Sequence, residues 1–135
     1  IQHGIRHEED PETRFSMMPA FGRDGLLERQ QIDDVVSHVL SLSGREVADE
    51  ASRARGAEIF AAQCATCHGQ DGKGDRTVGA PNLTDDIWVF GGEYDDVYNT
   101  VYNARNAHMP AWSERLDEQT IKALAVYVHS LGGGE

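Results

Sequence analysis

The chain has 135 residues and a formal net charge of −11, from 12 Lys and Arg against 23 Asp and Glu. That length suits one domain or one domain plus part of another, and the charge excludes a nucleic-acid backbone as partner, because phosphate rewards the opposite sign. No stretch approaches the roughly 18 consecutive apolar residues of a membrane helix, and Cys64 and Cys67 are the only cysteines, which excludes a disulfide framework and a four-cysteine zinc site.

The chain opens on Ile1 with no initiator methionine, leader or anchor, and it is expected to be a fragment of a longer protein. "SMMPAFG" at 16–22 comes first, with Met18 ahead of a proline. A helix follows over 28–43, because Ile32, Val35, Val36, Val39 and Leu42 fall at helical spacing and Gly44 ends the run. The polar stretch "GREVADE" at 44–50 reads as a linker. A second helix is predicted over about 50–63, with Gly56 and Phe60 on one face at i, i+4. "CATCHG" at 64–69 and a glycine-rich loop come next, then a helix over about 93–104 and a second Met-Pro-Ala-aromatic loop, "AHMPAWS", at 107–113. The last helix is predicted over 117–131. Asp117 is its N-cap, Ile121, Leu124, Ala125, Val128 and Leu131 form its stripe, and Gly132-Gly133-Gly134 is its stop.

The first and last helices share their offsets and end in similar phrases, "HVLSLSG" and "YVHSLGG", each after a Met-Pro-Ala-aromatic loop. This is an internal repeat. Only the second copy is preceded by a C-x-x-C-H motif. The sequence therefore predicts three parts: residues 1–43 as the C-terminal half of a first domain lacking its own motif, 44–50 as linker, and 51–135 as a complete domain. Met18 is then the orphan counterpart of Met109. The stripe of 28–43 is expected to find cover by pairing with another copy of the chain, as a homodimer; docking onto the chain's own second domain, or offering Met18 to a neighbour's haem, are the alternatives.

Cys64, Cys67 and His68 have the spacing of c-type haem attachment. Two thiols three residues apart meet the two vinyl groups along one porphyrin edge, and the next residue supplies the proximal imidazole. A redox dithiol is the alternative, but it calls for a strand–helix context that the upstream pattern lacks. A zinc site needs further ligands, and His108 and His129 form no recognisable pair. Met109, with Pro110 fixing the backbone just beyond it, supplies a neutral thioether as sixth ligand, which raises the potential. His108, next to it, is the rival ligand. Tyr127 on the last helix is the expected aromatic partner of Gly56 and Phe60.

Residues 50–132 resemble a class I cytochrome c domain, through Gly56 and Phe60, the 64–68 pentapeptide, "GAPNL" at 79–83, Met109-Pro110 and the closing helix. The resemblance implies an all-α fold around one covalent haem c. It also implies that the Pro81 carbonyl orients His68 through Nδ1. Trp88 either donates its indole N–H to a haem propionate or packs in the core, and Asn103 and Asn106 hydrogen-bond the methionine sulfur or the haem edge. "HGIR…MPAFG", "APNLTDDIW" and the tandem arrangement make the whole chain similar to the dihaem subunit of cbb-type cytochrome c oxidases, the CcoP or FixP family. That implies periplasmic electron transfer, from cytochrome c donors to a haem–copper subunit, in a parent anchored in the bacterial inner membrane. The fragment itself is expected to be soluble and to carry out no bond-making chemistry. The alternatives are a stand-alone soluble cytochrome c, a haem peroxidase and a gas-binding haem domain.

Overall fold

The computed structural model describes residues 1–132, so the part of the predicted helix stop at Gly133 and Gly134 lies outside the described residues. Five helices are present among them: α1 Arg29–Leu42, α2 Glu50–Gln63, α3 Ala65–His68, α4 Tyr94–Asn103 and α5 Glu118–Ser130. Extended pairing among the described residues is limited to isolated bridges. The architecture of the described residues is therefore all-α, as the resemblance implies.

The helix boundaries follow local chemistry. Glu28 and Gln31 form a reciprocal capping box at the start of α1. Asp49 accepts from the Ala51 and Ser52 amides at the start of α2, and Asp117 accepts from Thr120 N at 2.9 Å at the start of α5. Gly44, with φ +78°, takes the left-handed turn that ends α1.

The structure groups the chain into two compact units. Met17–Asn106 make one; Ile1–Ser16, together with the chain from Ala107 onward, make the other.

In the larger unit α1 lies across α2 and α4. Ile32 and Val36 are fully buried, with Val35 at 1% and Val39 at 5% exposure. They join Phe60 of α2 and Val97 and Val101 of α4 in one core. This corrects the expected homodimer through residues 28–43: the stripe is covered within the chain, and no apolar seam is left on α1 for a second copy. Gly56 makes the crossing possible. A Cβ there would meet the Asp34 carbonyl oxygen at 1.9 Å. The ring beside Phe60 is His38 of α1, with centroids 5.2 Å apart. Tyr127, expected in that role, is 60% exposed, and α5 has no buried residue.

A polar lock fastens the same crossing. Asp34 is only 3% exposed, yet it accepts a bidentate pair of bonds from Arg55, both at 2.8 Å, one from Ser52 Oγ at 2.7 Å and one from Gln30 at 3.1 Å. Four donors for two oxygens meet the requirement of a buried carboxylate. Burial opposes this charge, but the Arg55 guanidinium prevails and holds the carboxyl down at about 2. On α4, Tyr94 donates to Asp33 at 2.6 Å, and Tyr94, Tyr98 and Tyr102 stack along one face at i, i+4, i+8.

The first Met-Pro-Ala loop also belongs to this unit. Phe21, Gly22 and Arg23 donate backbone N–H bonds to the Val101 and Tyr102 carbonyls at the end of α4, which satisfies helix ends that would otherwise lack partners. Met18 packs against the core, and its amide donates to Asn106 Oδ1 at 3.4 Å.

Candidate functional site

The centre of the candidate site is a single helical turn. Cys64 ends α2 and begins α3, so Cys64, Cys67 and His68 fall within one turn and the next residue, Gly69, breaks away at φ +77°. Burial, and then the neighbouring Cys67, push the Cys64 thiol up to about 11. A redox dithiol needs the opposite shift, toward thiolate at neutral pH. Cys64 is therefore poorly disposed to act as a thiolate nucleophile at neutral pH.

His68 is held by one bond, and the chain is shaped to make it. The Nδ1–H donates to the Pro81 carbonyl at 3.0 Å. Gly74 carries φ +81°, and a Cβ on it would meet Ala80 O at 2.5 Å and Pro81 C at 2.6 Å. Any other residue at 74 would push Pro81 away from the imidazole. Gly74 N donates to His68 O at 2.8 Å, and Leu83 N donates to Gly72 O at 2.7 Å, closing the loop over α3. Burial lowers the His68 pKa, and the Pro81 bond only partly offsets this. The ring is thus neutral near pH 7, with Nδ1 occupied as donor and Nε2 left as the free lone pair. That is the state a metal-ligating histidine needs.

Trp88 is partly buried against the core, and its indole Nε1 is buried without an acceptor. A buried, unbonded N–H costs about 1–3 kcal/mol, and a carboxylate such as a haem propionate would remove that cost. The thiol pair, the oriented neutral imidazole and the orphaned indole donor all fit a covalently bound haem. Asn103 lies exposed on the last turn of α4. Asn106 spends its side chain on Met18 N and on Ala104 O, at 2.9 Å for the latter.

Met109 belongs to the other unit, where Ile1–Ser16 flanks its loop. Ile5 and Met109 exchange both backbone hydrogen bonds, N to O 2.8 and 3.0 Å. His108, the rival ligand, is exposed and its ring lies 5.7 Å from that of His7. The role of 1–16 escaped the sequence reading. So did Gly74, although the glycines at 69, 72 and 74 were a visible signal of close backbone approach.

The fold and site define a helical protein of the cytochrome c class. Residues 51–128, more than half of the chain, match the family model for cytochrome c oxidase, cbb3-type, subunit III. The full 135 residues are 56% identical to the cbb3-type cytochrome c oxidase subunit CcoP of Cereibacter sphaeroides, of which they cover 46%. They are 49% identical to subunit FixP of Azorhizobium caulinodans, covering 45% of it, and 49% identical to subunit CcoP of Rhodobacter capsulatus, covering 48%. The chain belongs to the cbb3-type cytochrome c oxidase subunit III family. It spans about half the length of these relatives, and no helix among the described residues is long and apolar enough to cross a membrane.

Proposed function

We propose that this chain is an electron-transfer module holding one haem c, and that it acts as a carrier with no substrate chemistry of its own. Cys64 and Cys67 would hold the group covalently, His68 and Met109 would ligate its iron, Pro81 fixes the His68 ring, and Trp88 would donate to a propionate. When bound, the haem supplies a one-electron carrier whose iron cycles between ferric and ferrous, and thioether ligation sets its potential high. The protein's part is to keep both ligands in place in both oxidation states, so that little rearranges on transfer. The observation that carries this reading is the His68–Pro81 bond at 3.0 Å beside the two thiols.

The names of the relatives support a place in an oxidase complex. The chain would accept electrons from cytochrome c donors and pass them to a haem–copper subunit, on the periplasmic side of the bacterial inner membrane. The division into 1–43, 44–50 and 51–135 is proposed as one of descent, since the repeat of loop and helix is a property of the sequence, whereas packing groups 17–106.

Intact mass and haem staining should count one covalent haem per chain. Met109→Ala should turn the resting ferric form from low to high spin and lower the potential. An unchanged low-spin spectrum would remove Met109 and bring His108 forward.

A further inference from the structure

Two buried donors of the larger unit lack a partner within the chain: the indole Nε1 of Trp88 and the guanidinium Nε of Arg45. Neither group can accept a hydrogen bond, so what each lacks is an acceptor. They also lie close together. A Cβ on Gly92 would meet Trp88 Cδ1, the carbon next to that nitrogen, at 2.7 Å and Arg45 Nη2 at 2.8 Å. Arg45 is fixed there by its backbone. It follows Gly44, at φ +78°, and its amide donates to Leu40 O at 3.2 Å, which ties it to the end of α1. Its Nη1 donates to Glu93 Oε1 at 3.1 Å, on a side chain that is 84% exposed. That bond leaves Nε unserved. The same end of α1 touches the loop that closes over α3, since a Cβ on Gly72 would meet Leu42 Cδ1 at 2.8 Å and Thr84 Cγ2 at 3.6 Å. All these residues share one compact unit with Cys64, Cys67 and His68.

On the reading of a haem held at Cys64 and Cys67, we propose that Arg45 completes the propionate seat begun by Trp88. A carboxylate suits both donors at once, because it offers two oxygens and the negative charge that a partly buried guanidinium needs. Arg45 lies outside the 51–128 match, so the linker, and not the domain, supplies this cation. A cation beside a propionate keeps it ionised. It also favours ferrous iron, which carries one positive charge fewer than ferric. Arg45 therefore holds the potential up and moves protonation of the propionate to lower pH.

The test uses the haem-loaded chain and follows its reduction potential across pH, where protonation of a propionate appears as a change of slope. Arg45→Gln should keep the covalent haem and lower the potential at neutral pH. It should also move the change of slope up by about one pH unit, a roughly tenfold weaker hold on the ionised propionate. Arg45→Lys, which returns the charge, should recover most of that shift. Arg53→Gln, which removes an equal charge from the pair with Glu50 on α2, should leave the change of slope where the parent has it. If Arg45→Gln leaves it there too, Arg45 is merely structural and the proposal falls; a shift in Trp88→Phe alone would then leave the indole as sole donor. If the parent carries no covalent haem by intact mass, the haem reading fails first and takes this inference with it. Should Arg45→Gln lose its haem, Glu93→Gln decides. Freeing Nη1 from its carboxylate should move the change of slope down, and an unmoved one overturns the proposal.

Discussion

Asp34 shows how one buried side chain fixes a helix crossing. The group has a folded pKa of about 2 against an ordinary 3.8. A depressed carboxyl contributes stability that is present above the unfolded value and lost as pH falls through the folded one. Its contribution should therefore be complete at neutral pH and fade between about pH 4 and pH 2. Asp34→Asn should cost about 2 kcal/mol at pH 7 and erase that acid limb, as read from urea midpoints at several pH values. A parent and variant separated by the same amount at pH 7 and pH 2 would show that Asp34 acts through packing alone. None of this was visible in the sequence. Asp34 and Arg55 are separated by 21 positions, and an Asp on the edge of an apolar stripe ordinarily reads as solvated. His68 is the opposite case. Its neighbours in sequence declare its role, and its orienting partner lies only 13 residues away in a phrase with its own signature.

At the scale of elements, Gly56 decides which helices touch. With the Asp34 carbonyl 1.9 Å from any Cβ at position 56, the obstacle is backbone and cannot swing aside. Gly56→Val should force α1 off α2 and expose Ile32 and Val36, costing roughly 3 kcal/mol or more. Heat or denaturant unfolding would measure the loss, and dye binding to exposed apolar surface would report the displaced helix. A fully native midpoint would mean that α1 is not seated on this glycine. The existence of all four long helices was legible, and for α1 and α5 the period and the glycine that follows agree on where the helix ends. What periodicity cannot say is which stripe meets which face. The aromatic pattern pointed to Tyr127 of α5 for the Gly56–Phe60 face and gave α1 no place there. The structure seats α1 there through Asp34, His38 and Val36, contacts that a period of 3.6 does not encode. The single turn α3 was legible only through its cysteines, since four residues carry no periodic signal.

For the whole molecule, the net charge of −11 is the long-range property. Asp71, Asp75 and Asp85, in the segments following His68, each also accept a backbone N–H two residues on, from Lys73, Thr77 and Ile87. These carboxylates shape the loop and charge it at once. Electron exchange with a basic cytochrome should slow about tenfold or more as salt shortens the screening length to about 8 Å, in stopped-flow rates at rising ionic strength. A rate indifferent to salt would leave the acidity a matter of solubility. The pairing of Ile5 with Met109 and of Arg6 with Ala107 has another kind of consequence, one of time. Arg6 waits through 101 positions for its carbonyl partner, which a ribosome supplies after about 5–20 s at roughly 5–20 residues per second. The larger unit, made of consecutive residues, can fold during that interval. The smaller one joins segments on either side of it, and its Ile5–Met109 and Arg6–Ala107 bonds close only once the methionine loop has been made.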